Sequence, residues 1–229
     1  MSTNDDTRPA TTPVIPLASD AVWQAITSTP GVGVSVIDVD GKLVFVNPTT
    51  SHLFFVDPDA DYHGKYLTDF HPEAFVRERL AMIRQVLDQR KPLSIRHIYL
   101  GRGITSTVWP LSDEEPPFDR VLVVSREHGQ VDLEVSPNEI ETIETEYIDL
   151  GHLSALTPRE VEVLALLGQG LGVPQVANCL HRSPKTIEHH KASISQKLHL
   201  RGQAELVTIV AGIGLEISDA KLKRYKREP

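Results

Sequence analysis

Residues 156–198 open on LTPREVEVLALLGQG (156–170) and close on SPKTIEHHKASISQKL (183–198), and they decide how the carboxy-terminal part of the chain folds. Thr157-Pro158-Arg159-Glu160 puts threonine at N-cap, proline at the first helical position and glutamate at N3, so side chain and backbone can cap each other. Val161, Val163, Leu164, Leu166 and Leu167 supply a buried side, and Gly168 and Gly170 let the helix stop. A second helix is predicted from about Pro174 to Leu180, with Val176, Ala177 and Leu180 inward and the small Ala177 where two helices cross. Ser183 and Pro184 repeat the capped start. On a helical wheel Ile187, His190, Ile194 and Leu198 form a core stripe, leaving Lys185, Glu188, His189, Ala192, Ser193 and Gln196 as a polar face. Together these signals predict a helix-turn-helix whose third helix suits a major groove roughly 12 Å wide.

Readout roles follow from the side chains. Glu188 can accept from a cytosine amino group, His189 and Gln196 can address purine edges, and the Ala192 methyl can meet a thymine methyl. Lys185 and Ser193 complete the base-facing set. Arg182, Thr186, Lys191 and Lys197 are placed to hold phosphates, which position the helix without reading sequence.

The ordered matches go further. The chain carries Leu156-Thr157, Arg159-Glu160 and Val163-Leu164, then Gly170-Leu171, Ala177 and Leu180, then Ser183, Lys185-Thr186-Ile187, His190, Ile194 and Lys197-Leu198. On these residues, 156 to about 215 resembles the LuxR-type (GerE-like) DNA-binding domain. The resemblance implies a four-helix domain whose third helix enters the major groove and whose fourth, Gln203 to Ala211, forms a dimer contact through Leu206, Ile209 and Val210. Three positions depart from the pattern: Gly172 replaces a common serine, Gln203 a basic residue, and Glu188 sits where many relatives are basic.

Ahead of this region, the order of elements is different. Asp20 to Thr27 can form a short amphipathic helix ended by Pro30-Gly31. GVSVIDVDGKLVFVN has valine-rich runs on either side of Asp40-Gly41, a hairpin signal. A helix from Pro72 to about Gln89 carries Phe75, Leu80, Ile83 and Val86 at helical spacing, and three strand candidates follow, LSIRHIYL, GITSTVWPL and DRVLVVSRE. With VSVIDVDGKLVFVNPTT at its start and HGKYLTDF before the long helix, about Ala21 to His128 resembles a PAS domain. That resemblance implies a five-stranded antiparallel sheet cupping helices on one face. Gly129 to His152 is acidic, with Ile140, Ile143 and Ile148 at a spacing compatible with a short helix, and is read as a connector.

Composition narrows the classes. The net charge is −8 over 229 residues, yet from His152 onward basic residues outnumber acidic ones and the remainder is strongly acidic. That asymmetry fits an acidic module joined to one that meets phosphate. No segment approaches the roughly 18 apolar residues of a membrane span, and MSTNDDTRPATTPVIPLASD lacks the positive start and apolar run of a secretory signal. The single cysteine, Cys179, excludes an intramolecular disulfide and is expected to be buried and structural. It also lies outside the PAS-like cup, where covalent flavin chemistry would need it. His181, His189 and His190 have no carboxylate or cysteine completing a metal set. A haem ligand is sought on the long helix and not found; His52, His63 and His97 remain as formal candidates, each read as a surface or satisfied polar residue. No nucleophile motif, P-loop or dinucleotide fingerprint points to an enzyme.

The fold expected is therefore α+β: a PAS-like five-stranded antiparallel sheet with flanking helices, plus an all-α four-helix helix-turn-helix domain. The expected division is a disordered leader 1–19, a PAS-like sensory or dimerisation domain 20–128, an acidic linker 129–152, the DNA-binding domain 153–217 and a solvated basic tail 218–229. Expected partners are double-stranded DNA, a second copy of the chain and RNA polymerase, with no membrane, metal or cofactor beyond a small molecule in the cup, and a cytoplasmic location. The competing readings are a protein-interaction adaptor and a response regulator with a degenerate receiver domain.

Overall fold

Asp38 starts the first turn by accepting at one carboxylate oxygen from the backbone N–H groups of Asp40 (3.0 Å) and Lys42 (2.8 Å). Gly41 completes it at φ +85°, where a Cβ would also meet Leu80 at 3.0 Å. The computed structural model describes residues 19–55, 57–111, 119–128 and 140–225. Residues 1–18 of the expected leader, 129–139 of the linker and 226–229 of the tail lie outside the described residues.

The amino-terminal half begins with helix α1 (Ser19–Ser28), then the hairpin β1 (Gly33–Asp38) and β2 (Leu43–Val46), then α2 (Pro48–Phe54) and α3 (Glu73–Gln89). Strands β3 (Leu93–Tyr99), β4 (Arg102–Pro110) and β5 (Arg120–Glu127) follow. Asn47 ties this start together. Its amide oxygen accepts from Val34 N–H (2.8 Å) and caps α2 at Thr50 N–H (3.0 Å), while its nitrogen donates to the carbonyls of Thr27 and Val32. One buried amide thereby uses all its capacity to join three elements.

The sheet order is β2-β1-β5-β4-β3-β6, antiparallel except for the last pair. The sixth strand corrects the five-stranded expectation. It is β6 (Glu141–Glu144), which runs parallel to Leu93–Arg96 in the segment where isoleucine spacing suggested a helix. Thr142, Ile143 and Thr145 are β-branched and suit a pleated edge better than a helix. The antiparallel order also overturns the receiver reading, because a receiver sheet is parallel and needs helical crossovers that β1 and β2 lack.

The carboxy-terminal half comprises α4 (Pro158–Gly168), α5 (Val173–Cys179), α6 (Pro184–Leu198) and α7 (Gln203–Ile213). Val161, Val163, Leu164, Val176, Ile187, Ile194 and Leu206 form its core, and Ile98, Ile148 and Leu150 join the same cluster from the sheet side. The other core lies between α2, α3 and the opposite sheet face, around Leu43, Phe75, Ile83, Ile104 and Val121.

The two halves are joined by specific contacts. The carbonyl of Ile213 comes so close to Gly103 that a Cβ there would lie 1.7 Å from it. Arg96 of β3 donates to both oxygens of buried Asp219 (3.0 and 2.9 Å) and to the Gly214 carbonyl (2.7 Å). This differs from the expectation of a solvated tail after residue 217. Strand β8 (Lys223–Arg224) instead pairs in parallel with β7 (Tyr147–Ile148), and the Tyr225 ring packs on Phe75 and Tyr147. Tyrosine and leucine among the basic residues give that segment apolar area to bury.

Candidate functional site

Helix α6 is held in place from beneath. Thr157 caps α4 as the sequence predicts, accepting from Glu160 N–H while the Glu160 carboxylate accepts from Thr157 N–H at 2.7 Å. Glu160 is buried, and its carboxylate also accepts from the Ser193 hydroxyl (2.6 Å) and Lys197 Nζ (2.6 Å) of α6. Burial alone would raise this carboxyl, but the bonds from Lys197, Ser193 and Thr157 outweigh it and hold the pKa at about 2. Its neighbour Arg159 donates to the Leu180 carbonyl at 2.8 Å, satisfying the end of α5. The Arg-Glu pair therefore fixes both helices of the turn to α4.

Ser183 caps α6 by accepting from Thr186 N–H at 3.1 Å, and Ile187 and Ile194 are fully buried. His190 and Leu198, assigned to the same stripe, are half-buried at its edge. Lys185, Glu188, His189, Ala192 and Gln196 are exposed, as is Arg182 just before the helix; Lys191 and Thr186 are half-buried. A groove of about 670 Å³ runs along this face between Glu160, Ser183, Lys185, His189, Ala192 and Gln196. Ser193 and Lys197 take a bracing role as well. Each donates to Glu160 and so braces the helix, while the remaining ammonium donors of Lys197 and the acceptor capacity of Ser193 stay unused by that bond.

The residues expected at a dimer contact pack mainly within the chain. Leu206 and Val210 are buried within the chain and Ile209 is half-buried, because α7 packs on α4 where Gly168 leaves room for the Val210 side chain. Cys179 is exposed, against expectation, since Val176 and Ala177 take the inward face of α5.

A second site lies under the sheet. A cavity of about 70 Å³ is lined by Ile37, Phe54, Phe55, Phe75, Ile95 and Val108 among others, with Arg79, His71, His97, Ser35, Thr50 and Ser106 as its polar members. His97 Nδ1 lies 3.1 Å from an Arg79 nitrogen and Nε2 lies 3.1 Å from Ser106 Oγ. A guanidinium only donates, so Nδ1 accepts and Nε2 carries the proton. His71 Nδ1 meets the Tyr99 hydroxyl at 2.8 Å. Burial, reinforced by the Arg79 charge, lowers His71 to about 3 and drives His97 down as well, so both rings are neutral at neutral pH. Of the three formal haem candidates, His52 and His63 are exposed and His97 has both nitrogens engaged. Sequence reasoning missed His71 and Arg79. His71 stands one residue before the expected helix, and Arg79 reads as a surface charge until the fold turns it inward.

Residues 154–210 match the family model of bacterial regulatory proteins, luxR family, and residues 29–132 match that of the PAS fold. The chain is 46% identical over 52 residues to the oxygen regulatory protein NreC of Staphylococcus carnosus, which is 23% of this chain and 24% of NreC. NreC of Staphylococcus aureus is 44% identical over the same length. The chain thus spans about a quarter of the length of the curated relatives it matches. Among solved structures, the Vibrio cholera VqmA–ligand–DNA complex aligns over 88% of this chain and 91% of that one, with TM-score 0.50 and 18% identity. That likeness shows a shared fold.

Proposed function

From a chain that joins a PAS-fold domain to a regulatory domain of the luxR family, we propose a sequence-specific DNA-binding regulator of transcription. In this reading residues 153–217 bind DNA and residues 20–128 receive the signal. The observation that carries it is the exposed face of α6, raised beside a groove and braced by Glu160 from α4. Lys185, Glu188, His189, Ala192 and Gln196 face the bases, while Arg182, Thr186 and Lys191 hold phosphates. A carboxylate at Glu188 favours sites with a cytosine amino group there.

Two copies acting on adjacent half-sites suit a major-groove reader of this size. The protein is taken to work beside DNA in the cytoplasm, without catalysis, and RNA polymerase is the machinery it would influence. No helix among the described residues is long and apolar enough to cross a membrane. VqmA, which shares the fold, occurs with ligand and DNA together, and the same pairing is proposed here, with the cavity under the sheet as the input.

Salt dependence tests the reading. Each phosphate neutralised lowers log K by about 0.9 per decade of salt on duplex DNA. The expected result is a steep slope of several such units on a selected site, reduced by about one in Lys191→Gln. Weak binding with a flat slope and no preferred site would favour a protein-interaction adaptor and sink the regulator.

A further inference from the structure

The cavity presents a cation to its interior and no carboxylate at hydrogen-bond distance. Arg79 is largely buried, with its side chain 12% exposed. Its guanidinium donates to His97 Nδ1 (3.1 Å) and to the Met82 sulfur (3.4 Å), and lies 4.7 Å over the Phe75 ring. These are all neutral partners. Glu78 is 3.8 Å away, outside hydrogen-bond distance, and does not line the cavity. One Glu78 oxygen accepts from Glu146 N–H, and the other is buried with no donor. His71 and His97 are neutral, so neither changes the positive sign of the cavity wall.

The ion pair with Glu78 is too long for a hydrogen bond, and a carboxylate inside the cavity adds the short charge-assisted bonds that Glu78 does not make. Apart from the hydroxyls of Ser35, Thr50 and Ser106, the remaining walls are apolar and aromatic, and the space holds a few water-sized groups. We propose that this cavity selects a small organic monoanion, its carboxylate on Arg79 and Ser106 and its apolar body against Phe54, Phe75 and Val108, over neutral molecules of the same shape. The proposal rests on the reading of the sheet domain as the input module. The position of Arg79 also suits a relay: Glu78, beside it, holds the backbone of Glu146 just before β7, and β7 pairs with β8 beyond the last helix. An anion that draws Arg79 inward changes the charge felt by that anchor.

The test uses the full chain with butanoate and its neutral isostere butanamide, read by calorimetry and thermal shift at neutral pH. Butanoate should bind saturably and at least about tenfold tighter than butanamide. In Arg79→Gln the preference should fall to within about twofold, while Arg79→Lys should keep its direction. Equal binding of acid and amide to the wild type overturns the proposal without reference to any variant. So does a preference that survives Arg79→Gln, or no binding of butanoate at any concentration up to about 20 mM. The salt titration on DNA is independent of the cavity. Anion binding with no DNA binding would remove the regulator reading and leave this one standing.

Discussion

The two halves of the molecule treat a buried charge in opposite ways. In the helical half, Glu160 receives bonds from Lys197, Ser193 and Thr157, so its oxygens are satisfied from within the chain. In the sheet half, Arg79 faces a cavity, its hydrogen-bond partners are neutral and its one carboxylate partner, Glu78, stands 3.8 Å away. A buried ion held by short bonds to opposite charge rigidifies what it touches, whereas one paired at longer range leaves a ligand something to strengthen. The helical half is thus a finished platform for a surface, and the sheet half encloses a cavity lined by a cation.

Acid separates the halves by the largest margin. His71 is depressed from its usual 6.5 to about 3, so below pH 6.5 the unfolded chain binds a proton that the folded chain refuses. The resulting loss of stability grows as pH falls and reaches about 4 kcal/mol near pH 3, and His97, also depressed, adds to it. Glu160, held down at about 2, contributes stability that is complete above its ordinary 4.5 and lost between there and pH 2, about 3 kcal/mol in all. Both tryptophans, Trp23 and Trp109, lie in the sheet half. On acid titration, tryptophan fluorescence should therefore change before helical circular dichroism does, and coincident transitions would break the comparison.

Substitution gives a smaller contrast. Lys197→Met leaves Glu160 buried without its cation and should cost about 2 to 3 kcal/mol in urea denaturation, at the low end for such pairs because Lys197 is a third exposed. Arg79→Met leaves Glu78 buried without its cation, but that pair is longer at 3.8 Å and should cost less, about 1 to 2 kcal/mol. Equal losses would show that Arg79 is as fully compensated as Glu160.

The seam between the halves offers the smallest effect. A Cβ at Gly103 would collide with the Ile213 carbonyl, so Gly103→Ala should loosen the docking of α7 for about 1 to 2 kcal/mol. Faster amide exchange at Arg96 and Gly214 would report it. Unchanged exchange at both would mean the seam does not hold the halves together.

What was legible in the residues was local. The capping sets at Thr157–Glu160 and Ser183–Pro184, the turn at Asp38–Gly41 and the polar face of α6 all stand where reading the chain placed them. Ser193 and Lys197 belonged to that face by periodicity, yet Glu160 claims both across 33 and 37 residues. Leu206 and Val210 looked available for a partner because a helical wheel cannot say which neighbour its apolar side meets, and α4 met them first.

The sequence by itself determined which segments are helices and strands, and that the chain joins two modules, because capping, turns and hydrophobic periodicity act within a few residues. Tertiary structure alone decided the parallel edge strand β6, the packing of residues 218–225 against both halves, and the inward turn of His71 and Arg79. Each depends on contacts between distant residues, where burial and electrostatics are set by what the fold brings alongside and not by the local chain.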